Sequence, residues 1–112
     1  APDQDYGKNA SIFVPFFGVE KTATVVGTHN LARVKNTAVQ PSWTIREGNK
    51  YHLYIKDPLE NFPTEDEVLD TIKVNKELEK MISLAPEQYL WLHRRFKTTP
   101  QGEESRYPLI KN

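Results

Sequence analysis

The chain has 112 residues, 38% hydrophobic and 27% charged, which suits one domain with a modest core and argues against disorder. Its 15 Lys+Arg balance 15 Asp+Glu, so no overall field draws nucleic acid or anionic lipid. There is no cysteine, which excludes disulfides, zinc thiolate sites and cysteine nucleophiles together.

Residues 1–11 are polar and rich in turn formers, and they predict a loop. Ile12 to Phe17 is an apolar run interrupted only by Pro15, the pattern of a strand buried on both faces. Pro15 places that strand at an edge or ends it early. From Val19 to Lys35 the spacing of Val19, Ala23, Val26 and Val34 predicts a helix. Ala38 to Arg46 predicts a second strand, Glu47-Gly48-Asn49-Lys50 a turn, and Tyr51 to Asp57 a third strand. The first two strands would then be parallel through a right-handed crossover, and the third would fold back as a hairpin.

Thr64-Glu65-Asp66-Glu67 has the form of a capping box, with Thr64 as the cap. The helix it opens should run to about Leu84, with a stripe of Val68, Ile72, Leu78 and Ile82, and Asn75 lying within it. Such an amide is expected to be buried and bonded to backbone. Pro86 suits the first turn of another helix reaching about Phe96, with Arg94, Arg95 and Lys97 at its positive-preferring end. The expected class is α/β, with a βαβ unit, a β-hairpin and two C-terminal helices in a single unit, 1–112. Trp43, Tyr89 and Trp91 are expected to be core aromatics.

No apolar run approaches the roughly 20 residues that span a bilayer. The start at Ala1-Pro2-Asp3, without methionine, is expected of a piece of a longer protein.

Two stretches carry a resemblance. One is Asp5-Tyr6-Gly7 followed by Ser11-Ile12-Phe13-Val14-Pro15-Phe16-Phe17-Gly18 and Thr22-Ala23-Thr24. The other runs from Pro86-Glu87-Gln88-Tyr89-Leu90-Trp91-Leu92 through His93-Arg94-Arg95-Phe96-Lys97-Thr98 to Pro100 and Gly102-Glu103. In sequence, order and spacing they resemble the late acyltransferases of lipid A biosynthesis, the lauroyl/myristoyl group, over nearly the whole chain. The resemblance implies a partial glycerolipid-acyltransferase-like sheet, the C-terminal fragment of a larger acyltransferase domain. It implies transfer of a fatty acyl chain from acyl carrier protein to a Kdo-lipid A precursor at the cytoplasmic face of a Gram-negative inner membrane. In that family a His-x4-Asp/Glu motif supplies the base, and both it and the membrane anchor lie upstream of the segment matched here. The fragment alone is then expected to be inactive, with no cofactor or metal.

One string matches the motif, His52-Leu53-Tyr54-Ile55-Lys56-Asp57. On a strand, residues five apart face opposite sides, so His52 and Asp57 are not expected to meet. His29 has no acid within helical reach, and no His–acid pair is expected anywhere in the chain. His93, beside two arginines, is expected to pack or cap.

The remaining substrate-binding candidates are Asp5, Phe17, Gly18, Lys21, Thr22, Arg94, Arg95 and Lys97. Phe17-Gly18 would turn the first strand into a helix whose free N–H groups, with Lys21 and Thr22, could take an anion. A tight turn with buried phenylalanines is the competing reading. Phe17-Gly18-Val19-Glu20 does not reproduce the phosphate-binding block of the wider superfamily. Asp5 either positions an active-site group or caps a turn. Arg94, Arg95 and Lys97 form the one compact basic patch, either a solvated helix end or a dock for acyl carrier protein or anionic lipid. Nucleic acid is not an expected partner. Loss of upstream strands would leave an open sheet edge, which favours a homo-oligomer of the fragment.

Overall fold

A computed structural model describes residues 1–108. Two antiparallel hairpins flank one long helix. The first hairpin pairs β1 (Ser11–Phe16) with β2 (Val19–Val25), and the second pairs β3 (Ser42–Glu47) with β4 (Lys50–Ile55). Between them lies a short helix, α1 (Gly27–Ala32), and after them the long helix α2 (Glu67–Leu84). Among the described residues no helix is long and apolar enough to cross a membrane.

The first hairpin overturns the βαβ unit and its parallel crossover. Where a helix was expected from Val19, the chain turns back and pairs Phe16 with Val19 and Ser11 with Val25. Two local causes decide this. Val19, Thr22, Thr24, Val25 and Val26 are β-branched and favour the extended chain. Phe17 and Gly18 both have positive φ, 47° and 78°, the pair of left-handed residues that closes a two-residue hairpin with the twist strands require. Pro15 sits where the register shifts between Val14 and Phe16, so its missing N–H falls at a bulge. Only one face of β1 is fully buried, through Val14 and Phe16.

The second hairpin forms as expected, with Glu47 opposite Lys50 and Ser42 opposite Ile55. Trp43 stacks on Tyr54, ring centroids 5.3 Å apart. Every residue of β4 is exposed, and Tyr51, Leu53 and Ile55 show an apolar strip to solvent.

Helix α2 ends at Leu84 as expected, but its cap is Asp66 rather than Thr64. Asp66 Oδ1 accepts from the N–H groups of Val68 (2.9 Å) and Leu69 (3.1 Å). Its buried face carries Asp70, Thr71, Val74 and Asn75, rotated from the expected stripe, and Val68 is exposed. The expected last helix is reduced to a single 3₁₀ turn, Pro86–Gln88, followed by irregular turns. Side-chain packing replaces helix propensity here: Trp91 Nε1 donates to Pro86 O (2.7 Å), and the chain then bends to bury Arg95. Trp91 itself is exposed, so of the three aromatics expected in the core only Trp43 and Tyr89 are even partly buried.

Candidate functional site

Asp5 is a staple between the two ends of the chain. Its Oδ1 accepts from Gly7 N–H (2.9 Å) and the Thr98 hydroxyl (2.7 Å), and its Oδ2 from Thr98 N–H (2.9 Å). Asp5 N–H in turn donates to His93 Nε2 at 3.3 Å. Burial pushes the Asp5 carboxyl up, but the hydrogen bonds from Thr98 and Gly7, with the Lys97 charge, outweigh it and leave it below the usual carboxylate value. Both carboxylate oxygens are occupied: Asp5 caps the turn at Gly7 and adds a long-range tie to Thr98.

Arg95 is not part of a surface patch. It is 2% exposed, and its guanidinium lies over the Phe16 ring, 4.9 Å from the centroid. Nη1 donates to Ala23 O (2.5 Å) and Nη2 to Thr24 Oγ1 (3.2 Å). Burial lowers its pKa. Arg94 stays exposed over Tyr107, and Lys97 is exposed. The compact trio therefore splits, because without the helix its residues no longer share one terminus. Thr24 Oγ1 also receives Asn75 Nδ2 (3.2 Å), which donates to Pro15 O as well (3.0 Å). Asn75 is thus the buried amide bonded to backbone that its place in the stripe implied.

The helix N-terminus expected to gather Phe17, Gly18, Lys21 and Thr22 into an anion-binding corner is replaced by the turn between β1 and β2. No helix starts there. The Phe17 N–H donates to Glu79 Oε1 of α2 (2.8 Å), so the turn faces a carboxylate. Lys21 pairs with Glu103 at 2.9 Å, and Thr22 is buried with its hydroxyl donating to Val19 O (2.9 Å). The tight-turn reading stands, with Phe16 buried and Phe17 partly exposed against it, edge to face.

The expectation that no His–acid pair forms is overturned. His29 of α1 reaches Asp70 of α2, Nδ1 to Oδ2 2.6 Å, with side chains 6% and 1% exposed. Asp70 also accepts from Thr64 N–H (2.8 Å) and the Thr64 hydroxyl (2.8 Å). Burial raises the Asp70 carboxyl, and the bonds from Thr64 and His29 more than reverse this, so it stays ionised below the usual range. The pair is sealed from solvent and clamps α1 and residue 64 onto the first turn of α2. A separation of 41 positions hid it from local sequence patterns. His52 approaches Glu47 (3.4 Å), not Asp57, as the strand geometry required.

An open cleft of about 530 Å³ lies between the second hairpin and α2. Trp43, Ile45, Val74, Leu78, Met81 and Ile82 form its apolar walls. Beyond Ala85, Gln88 bonds both backbone polar atoms of Arg46 (2.9 Å each), fixing the end of β3 to the 3₁₀ turn. Tyr89 lines the same end, its phenol pushed up to about 12 by burial and by Asp3. Among the described residues no three His, Asp or Glu side chains converge to hold a metal.

Residues 1–98 match the family described as bacterial lipid A biosynthesis acyltransferase. The chain belongs to that family. The lipid A biosynthesis palmitoleoyltransferase of Escherichia coli (strain K12) is 49% identical over 109 residues, covering 96% of this chain and 35% of that protein. The lauroyltransferase of the same strain is 47% identical over 109 residues, 96% of this chain and 36% of its own length. The myristoyltransferase is 33% identical over 108 residues, 95% and 33%. The chain thus spans about a third of the length of the curated relatives it matches. No solved structure matches.

The two stretches that resemble the lipid A acyltransferases are one unit in space. Asp5 and Thr98 tie their outer ends, and Arg95 lies on Phe16, Ala23 and Thr24 of the first hairpin. The matched span ends at the residue that Asp5 holds.

Proposed function

We propose that this chain is the C-terminal structural part of an acyltransferase that moves a fatty acyl chain from acyl carrier protein to a Kdo-bearing lipid A precursor, at the cytoplasmic face of the inner membrane. The observation that carries this is the family match over residues 1–98 together with identity near one half to two named acyltransferases. In this reading the proton-abstracting histidine and the membrane anchor belong to upstream sequence, and the hairpins and α2 complete a larger α/β body of glycerolipid-acyltransferase type. The sealed state of His29–Asp70 supports it, because a base must reach the acceptor hydroxyl and this imidazole does not reach solvent.

The alternative of a carrier-docking module through Arg94, Arg95 and Lys97 loses its central residue to the interior. The test is acyl transfer by the full-length protein and by residues 1–112 alone, with dodecanoyl acyl carrier protein and the precursor. Transfer by the full-length protein and none by the fragment is expected. Full-length protein without transfer, or a fragment working at the full-length rate, overturns the assignment.

A further inference from the structure

We propose that the turn at Leu90, Trp91 and Leu92, with Arg94 and Lys97 behind it, is a contact site for the surface of an anionic lipid bilayer, an inference that rests on the membrane location proposed above. Leu90, Trp91 and Leu92 are 63%, 62% and 91% exposed. Single exposed apolar residues are ordinary, whereas a contiguous run of large ones marks an interaction surface. His93 N–H donates to Leu90 O (3.1 Å), so Trp91 and Leu92 are the central residues of a tight turn and form its tip. The turn is anchored on both sides. Trp91 Nε1 donates to Pro86 O (2.7 Å), and its ring meets Tyr89 edge to face, centroids 5.0 Å apart. Beyond the tip, Arg95 is buried on Phe16 and bonded to Ala23 O and Thr24 Oγ1. The apolar tip is therefore held out to water by a buried anchor, and its Trp is of the type enriched where lipid meets water.

Charge fixes the kind of surface. The chain as a whole is neutral, but from Gln88 to Gly102 it carries Arg94, Arg95 and Lys97 and no Asp or Glu. Arg94 and Lys97 are exposed, and among the described residues neither is ion-paired. The acids around the segment are engaged elsewhere. Glu103 pairs with Lys21 (2.9 Å) and Arg106 (3.6 Å), and Glu87 lines a hollow with Arg46 at the end of the second hairpin. Asp3 and Asp5 act on the buried Arg95, and Asp5, which also feels Lys97, is itself buried. An apolar tip with free cations just behind it matches a bilayer, whose hydrocarbon begins just beneath a layer of phosphates. The two leucines and the indole enter the interface while the guanidinium and ammonium groups stay at headgroup level. A convex tip sinks into a fluid bilayer as it is, whereas a folded protein partner would need a matching pocket.

The test is co-sedimentation of residues 1–112 with sucrose-loaded phosphatidylcholine vesicles, with and without phosphatidylglycerol at about a third of the lipid. Binding should be about tenfold tighter, or more, with the anionic lipid and should weaken as salt rises. Leu92→Asp should weaken it by about tenfold or more. Should that variant alter the circular dichroism spectrum, Leu90→Asp replaces it. Arg94→Glu together with Lys97→Glu should erase the preference for anionic vesicles. Leu31→Asp should change nothing, because Leu31 is 69% exposed on α1, which His29 fixes to the opposite end of α2. Trp91→Phe should still bind but lose the fluorescence quenching by doxyl-labelled lipid that the parent shows. In the full-length protein, reconstituted in the same vesicles, an environment-sensitive fluorophore on Leu92→Cys should be quenched by doxyl lipid. A fluorophore shielded from water yet untouched by doxyl lipid would mean that upstream sequence covers the tip, and would overturn the site. So would vesicle binding indifferent to Leu92→Asp or to lipid charge, a dimer that Leu92→Asp dissolves, or capture of acyl carrier protein in place of vesicles. Acyl transfer by the full-length protein without lipid contact at the tip removes this site and leaves the function; lipid contact without transfer does the reverse.

Discussion

Removing the Asp70 carboxylate is the sharpest perturbation available. Asp70→Ala takes away the acceptor for His29 Nδ1, Thr64 N–H and the Thr64 hydroxyl at once, in a site 1% exposed. Breaking a buried charge-assisted pair costs about 3–5 kcal/mol, because the partners left behind stay desolvated. His29→Ala leaves both Thr64 bonds in place and should cost less, about 1.5–3 kcal/mol for one hydrogen bond to a charged acceptor. Against a total stability of about 5–15 kcal/mol, Asp70→Ala removes a large share. It should lower Tm by roughly 15–25 °C for a domain of this size. Urea denaturation followed by circular dichroism, on the two single variants and the double, gives the coupling directly. The double variant should be less destabilised than the sum of the singles by at least about 1 kcal/mol. Additive losses, or an Asp70→Ala cost below that of His29→Ala, would refute the clamp.

The same carboxylate sets a pH dependence. Asp70 and Asp5 are both held below their ordinary values by hydrogen bonds that outweigh burial, so the unfolded chain binds their protons first on acidification. Their contribution is present in full above the ordinary carboxylate pKa and is lost as pH falls through the lower folded values; Tm measured downward from pH 7 should drop there, and Asp70→Ala should flatten the fall. Arg95→Ala should destabilise by about 2–4 kcal/mol through the lost bonds to Ala23 O and Thr24 Oγ1, while Arg94→Ala should stay within about 1 kcal/mol in the same urea assay. Phe17→Val should cost about 1–2 kcal/mol, because a β-branched side chain is strained at φ 47°, whereas Phe17→Gly should cost less; thermal melts of the pair check the order.

Some of the site is legible in the sequence, for identifiable reasons. The second hairpin followed from a four-residue turn between alternating strands, and α2 from its apolar spacing, both local patterns. Asn75 was legible because an amide inside an apolar stripe has few outcomes. The first hairpin is masked in the sequence because Val19, Ala23 and Val26 also fit a helical spacing, which the β-branched content and the Phe17-Gly18 turn outweigh. The Pro86 to Phe96 segment is not legible in the same way, because a favourable helix start and a basic end say nothing of where Arg95 will be buried.

The sequence by itself determined the family, through two motif stretches whose order survives in any fold they adopt, along with the long helix and the missing thiol chemistry. Only the tertiary structure decided which polar groups meet. His29 with Asp70, Asp5 with Thr98, and Arg95 with Ala23 are separated by 41, 93 and 72 positions. Their pairing is set by which element packs on which, since burying a charge or a donor is tolerable only where a distant partner arrives to satisfy it.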